Sequence, residues 1–147
     1  MDKQRINQDL ILLQNGDYRE ATWTYNEFGV PNFLRIFGAF ALPEERFNLP
    51  DCNLLVPVPS NLYDPNRKGK FHFYKYVYVD ERLRIRRPLL RWRRIQRGYS
   101  HNVYNLNEEI PPRSGWQWIC VMTPTCGVGD SIETFIAQVQ TYLNNDA

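Results

Sequence analysis

The change of hydrophobic period along this chain constrains its fold more than any other feature. Residues 7–14, NQDLILLQ, place apolar side chains where a short helix can use them. That helix is expected to stop near Asn15–Gly16, where a glycine can take the left-handed cap conformation. The period then becomes two. Ala21, Trp23 and Tyr25 share one face of REATWTYNE, and Leu34, Ile36, Phe40 and Leu42 share one face of FLRIFGAFAL. Leu54, Val56 and Val58 do so in CNLLVPVP, as do Phe71, Phe73, Val77 and Val79 in KFHFYKYVYV. Turn-rich links at 26–32, 43–51 and 60–69 join these four strands, which predicts an antiparallel meander. In DSIETFIAQVQTYL the helical period returns: Ile132, Phe135, Ile136, Val139 and Leu143 fall on one stripe, with Asp130 and Glu133 in capping-box positions.

The predicted order is therefore an N-terminal helix, a four-stranded antiparallel meander, a long irregular segment and a C-terminal helix. This is an α+β architecture in which helices cover one sheet face. No repeat, low-complexity tract or linker divides the chain, so residues 1–147 are expected to form a single domain. A hydrophobic share of 43% rich in aromatics is enough for a real core and argues against disorder. No apolar run approaches a membrane span and no charged start precedes an apolar stretch, so a cytoplasmic location with no membrane partner is expected. The three cysteines, Cys52, Cys120 and Cys126, lack CxxC spacing and have only two histidines to join them. Neither a zinc site nor a disulfide framework follows, and no metal or other cofactor is expected.

The net charge of +2 conceals an asymmetry, because eight arginines crowd residues 82–97. Nucleic acid is the first partner such a run suggests, with Tyr74, Tyr76 and Tyr78 as stacking surfaces. A solvated strand edge or a protein-docking surface built from Arg86, Arg87, Arg91, Arg93 and Arg94 outweighs that reading. Trp92 and Trp116 read as core or loop anchors, and Trp118 as a packing partner of Cys120.

A strand that runs into LLVPVPSNLYDP is cut off stiffly: Pro59 and Pro65 fix torsions and withhold amide donors, while Tyr63 can pack on the sheet's end. This proline- and tyrosine-containing turn resembles the one joining the second and third strands of the ubiquitin-conjugating enzyme fold. Read together, FGAFALPEERFNLPDCNLLVPVPSNLYDP, FHFYKYVYVDERLRI, Trp92 ahead of Ser100–His101, and GDSIETFIAQVQTYL resemble the bacterial stand-alone ubiquitin-conjugating-type proteins, the prokaryotic family E type. The likeness runs from about residue 33 onward and rests on scattered positions. It implies a carrier that accepts the activated C-terminus of a ubiquitin-like protein from an adenylating activating enzyme, as an ester-type intermediate, and passes it to an acceptor. It also implies a small gene system that includes a metal-dependent isopeptidase.

Such chemistry needs a nucleophile between the meander and the last helix, with a group nearby to polarise the carbonyl or take a proton. In the wider superfamily a cysteine preceded by His-Pro-Asn fills this role, and this chain departs from that pattern. Cys120 stands ten positions before Asp130, but within WQWICVM its apolar neighbours read as core, where a thiol is inert. Cys126 is too close to the helix, and Cys52 reads as packing. Ser100–His101–Asn102 is the nearest echo of the superfamily segment and matches the bacterial family's Ser-and-His positions. Ser100 could carry an oxyester if His101 took its proton, which requires a turn, because adjacent residues of a strand face opposite ways. A structural hydrogen bond from His101 is an equal reading; His72 reads as structural. The candidates are thus Ser100 or Cys120 as nucleophile, with His101 and Asn102 in support. A catalytically inactive binding scaffold of the same fold is the alternative from another class.

Overall fold

The computed structural model describes residues 3–25, 27–29, 31–58, 73–74, 76–86, 91–95, 115–121 and 132–145. Helix α1 (Lys3–Asn15) is followed by strands β1 (Ala21–Tyr25), β2 (Pro31–Ala41), β3 (Asp51–Pro57) and β4 (Tyr76–Asp80). Two short strands, β5 (Ile85–Arg86) and β6 (Trp92–Arg93), precede β7 (Trp116–Cys120), and helix α2 (Ile132–Asn145) comes last. The main sheet has the order β1-β2-β3-β4-β7 and is antiparallel throughout, so the fold is mixed α+β. Its first four strands form the expected meander. The expectation of an irregular segment between meander and last helix needs correction: β5 and β6 form a small hairpin there, and β7 is a fifth sheet strand beside β4. WQWIC has bulky residues on both faces, so it lacks the alternation that marks a strand with one wet face.

One sheet face carries the main core. Ala21, Leu34, Leu54, Val77 and Ile119 meet Leu13 of α1 and all five of the stripe residues predicted for α2. Phe135 stacks on Phe73 with ring centroids 4.4 Å apart. Full burial of a side chain of this size stabilises by about 1.5–3 kcal/mol, so the α2 stripe holds that helix down. Arg46 adds a polar tie, donating from Nη1 to the Asn144 carbonyl at 2.6 Å in the last turn of α2, where the helix dipole favours a cation.

Two turns depart from the sequence reading. Gly16 ends α1 as expected, its N–H donating to the carbonyls of Leu12 and Leu13, but its φ is not positive. A Cβ there would lie 2.9 Å from Glu133 Oε1, the end of an exposed side chain that can move aside, and 3.3 Å from the Leu12 carbonyl oxygen. The positive φ occurs instead at Gly38 (61°), inside the irregularity of β2 between Ile36 and Phe40. The Gly38 N–H donates to Asn53 Oδ1 at 2.8 Å. Two extra residues enter β2 there, so Ile36 and Phe40 stay on the face predicted for them. Tyr25, expected in the core, lies beyond a register shift at the end of β1 and is exposed.

Candidate functional site

The sequence-level candidates divide sharply in the structure. Ser100, His101 and Asn102 lie outside the described residues, as do Cys126, Arg87 and the turn residues Pro59, Tyr63 and Pro65. Cys120 is described, and its placement corrects the reading of it as core. Ile119 and Val121 point into the helix-covered core, so Cys120, between them at the end of β7, stands on the opposite sheet face and is half-buried. The sealed thiol is Cys52, with no exposed surface, and burial pushes its pKa well above the usual thiol range. It packs and does not react.

The face bearing Cys120 is aromatic. Register pairs Cys120 with Tyr76, Trp118 with Tyr78, and Trp116 with Asp80. Tyr76 stacks on Tyr74 at 5.2 Å and meets Tyr78 edge-on at 6.0 Å, and Trp118 lies 5.8 Å from Tyr76. Phe33 and Leu55 complete this second cluster. Tyr76 and Tyr78 are each only 8% exposed, so their rings are already occupied by one another and cannot offer the open stacking surfaces that the nucleic-acid reading asks of them. Burial pushes the Tyr76 phenol up to about 12, with Tyr78 adding to the shift. Beside Cys120, Tyr76 is therefore a neutral hydrogen-bonding group at neutral pH and not a base.

Asp80 closes the other end of β4. Its carboxylate is held below the usual range first by hydrogen bonds from the Arg82 side chain, at 3.0 Å from Nε and 2.7 Å from Nη2. The Arg82 backbone N–H donates to the same carboxylate at 2.9 Å. Asp80 stands four positions along β4 from Tyr76, the partner of Cys120, about 13 Å at strand rise, too far for proton transfer to or from that thiol. The role of Asp80 is to shape the turn at 80–83, and Gln117 completes that turn. Gln117 is 3% exposed, and its side-chain amide donates to the carbonyls of Asp80 at 2.8 Å and Leu83 at 2.9 Å.

From this turn the chain enters the arginine segment. Asn48 clamps it from the other side, accepting from the Arg84 N–H at 2.6 Å and donating to the Arg82 carbonyl at 2.9 Å. The hairpin pairs Ile85 with Arg93 and Arg86 with Trp92. Ile85 is buried beside Leu83, Ile95 and Phe47, so the hairpin's inner face is anchored in the main core. Its outer face presents Arg86 and Trp92, the latter 47% exposed, which corrects the reading of Trp92 as a core or loop anchor. Gln117 and Asn48 were not legible as site-shaping residues; the only local signal was the charged turn Asp80–Glu81–Arg82 after a strand.

Among the described residues no group of three His, Cys, Asp or Glu side chains could hold a metal ion, and no helix is long and apolar enough to cross a membrane. Comparisons with protein-family models, with curated proteins and with solved structures returned no match.

Proposed function

We propose that this chain is a ubiquitin-conjugating-like carrier of a bacterial ubiquitin-like protein. The observation supporting the reading is a half-buried thiol, Cys120, on the sheet face opposite both helices, within the segment between β4 and α2 where the superfamily keeps its nucleophile. The helix–meander–helix order agrees with that reading, whereas β7 is an addition to it. In the transfer step the nucleophile attacks the thioester carbonyl that joins the modifier to its activating enzyme. The new bond is to Cys120 Sγ or Ser100 Oγ, the bond to the activating enzyme's sulfur breaks, and the nucleophile's proton leaves with that sulfur. His101 takes the proton in the serine route, and Asn102 supports the oxyanion. No cofactor is required on the chain itself.

The test incubates the chain with a ubiquitin-like protein, its adenylating enzyme and ATP, and separates the products without reductant. A covalent adduct is expected. A thioester yields to thiol and to hydroxylamine, whereas an oxyester survives the thiol. Ser100→Ala or His101→Ala should abolish an oxyester adduct while Cys120→Ala retains it. If Cys120→Ala alone loses the adduct, the ordinary cysteine route operates. Absence of any adduct sinks the carrier reading and leaves the binding scaffold.

A further inference from the structure

The arginines of residues 82–97 separate into two groups by what their guanidinium groups already hold. Arg82 is bound to Asp80, and Arg94 is paired with both carboxylate oxygens of Glu81. Arg84 donates from Nη1 to the carbonyls of Glu81 at 2.6 Å and Leu83 at 2.9 Å. These three build the turn that seats the hairpin. Arg86 and Arg91 are exposed and Arg93 is half-buried; among the described residues, none of the three side chains makes an ion pair or hydrogen bond. Trp92 lies in their midst, directly across the hairpin from Arg86.

We propose that the outer face of the β5–β6 hairpin is a docking surface for an acidic segment of a partner protein, with Trp92 as its apolar anchor and Arg86 and Arg91 as the charges that read its carboxylates. Charge complementarity names the occupant. Residues 80–97 hold eight arginines against only Asp80 and Glu81, a surplus larger than the whole chain's net +2, so the remainder of the molecule is net acidic; the other basic run, Arg67, Lys68, Lys70 and Lys75, lies outside the described residues. A half-exposed tryptophan flanked by uncommitted arginines has the composition of an interface hot spot, where both residue types are enriched. The inner face is held by Ile85, Leu83 and Ile95 in the core, so the surface is formed before binding and little ordering entropy opposes docking. A nucleic-acid strand is the poorer occupant. It needs a row of stacking rings and a track of free cations, while Tyr76 and Tyr78 are buried and Arg82 and Arg94 already neutralised. The inference stands apart from the carrier reading.

The experiment uses the full chain and fluorescein-labelled short peptides in which aspartate and glutamate alternate with leucine, read by anisotropy, with a mixed-sequence single-stranded oligonucleotide in parallel. Arg86→Gln and Arg94→Gln change the net charge equally, and circular dichroism verifies that both fold. Binding of the acidic peptides is expected to weaken at least about tenfold in Arg86→Gln and in Trp92→Ala, and less than about threefold in Arg94→Gln. Equal losses in the two arginine variants would mean a diffuse field and overturn the proposal. So would no effect of Trp92→Ala, no binding of the acidic peptides by the unaltered chain, or tighter binding of the oligonucleotide than of the peptides.

Discussion

Gln117→Leu is the sharpest test of how the arginine hairpin is held. Leucine matches the glutamine in bulk but removes both amide hydrogens, leaving the carbonyls of Asp80 and Leu83 without the bonds that Gln117 makes to them at 2.8 and 2.9 Å. Each lost hydrogen bond costs about 1 kcal/mol net; neither carbonyl is left without a donor, because that of Asp80 still accepts from the Leu83 N–H at 3.0 Å and that of Leu83 from Arg84 Nη1 at 2.9 Å. The added apolar burial of leucine offsets part of the two losses, so a destabilisation of about 1–2 kcal/mol is expected. With a urea dependence of about 1–3 kcal/mol per molar, the unfolding midpoint should fall by roughly 0.5–1 M at unchanged slope. Gln14→Leu is the control, since Gln14 makes one such bond, to the Ala21 carbonyl at 2.8 Å from a half-buried position, and should cost under about 1 kcal/mol. If Gln117→Leu shifts stability by less than about 0.5 kcal/mol, or by no more than Gln14→Leu, the turn does not depend on the amide and the reasoning fails.

Two further outcomes follow from the titratable groups. Cys52, sealed in the core with its thiol pushed up, should escape alkylation by iodoacetamide in the native protein and react only on unfolding, while Cys120 is labelled natively; peptide mapping by mass spectrometry decides, and native labelling of Cys52 would contradict its placement. The Asp80 carboxyl is lowered in the fold, so its stabilising contribution is complete above the ordinary carboxylate pKa of about 3.9 and is lost as pH falls through the lower folded value. Asp80→Asn should therefore lose less stability than the unaltered chain between neutral and acid urea titrations, and parallel curves would show that the carboxylate is not linked to folding.

The elements with one wet face and one dry face could be read directly. α2 buries the five residues its period predicts, and in β2 and β3 Leu34, Ile36, Leu54 and Val56 face the core as alternation requires. β7 escaped because a strand packed on both sides loses its period, and with it went the position of Cys120, which a run of apolar neighbours made to look sealed. Trp92 escaped for the converse reason: an isolated tryptophan says nothing of which side of a two-residue strand it takes until Ile85 is seen in the core. As for the candidate site, the sequence named its nucleophile candidates and located the arginines, but it could not tell which arginines are occupied.

Local chemistry alone determined the α+β class, the meander, the stop at Gly16 and the concentration of positive charge, because each depends on neighbours a few residues away. Tertiary structure decided which cysteine is sealed and which arginines are spent on the turn. Those outcomes depend on partners far away in the chain, as with Gln117 reaching back to Asp80. A one-dimensional pattern carries the periodicity of each element but not the pairing between elements, and it is the pairing that sets burial, and through burial the reactivity and charge left exposed.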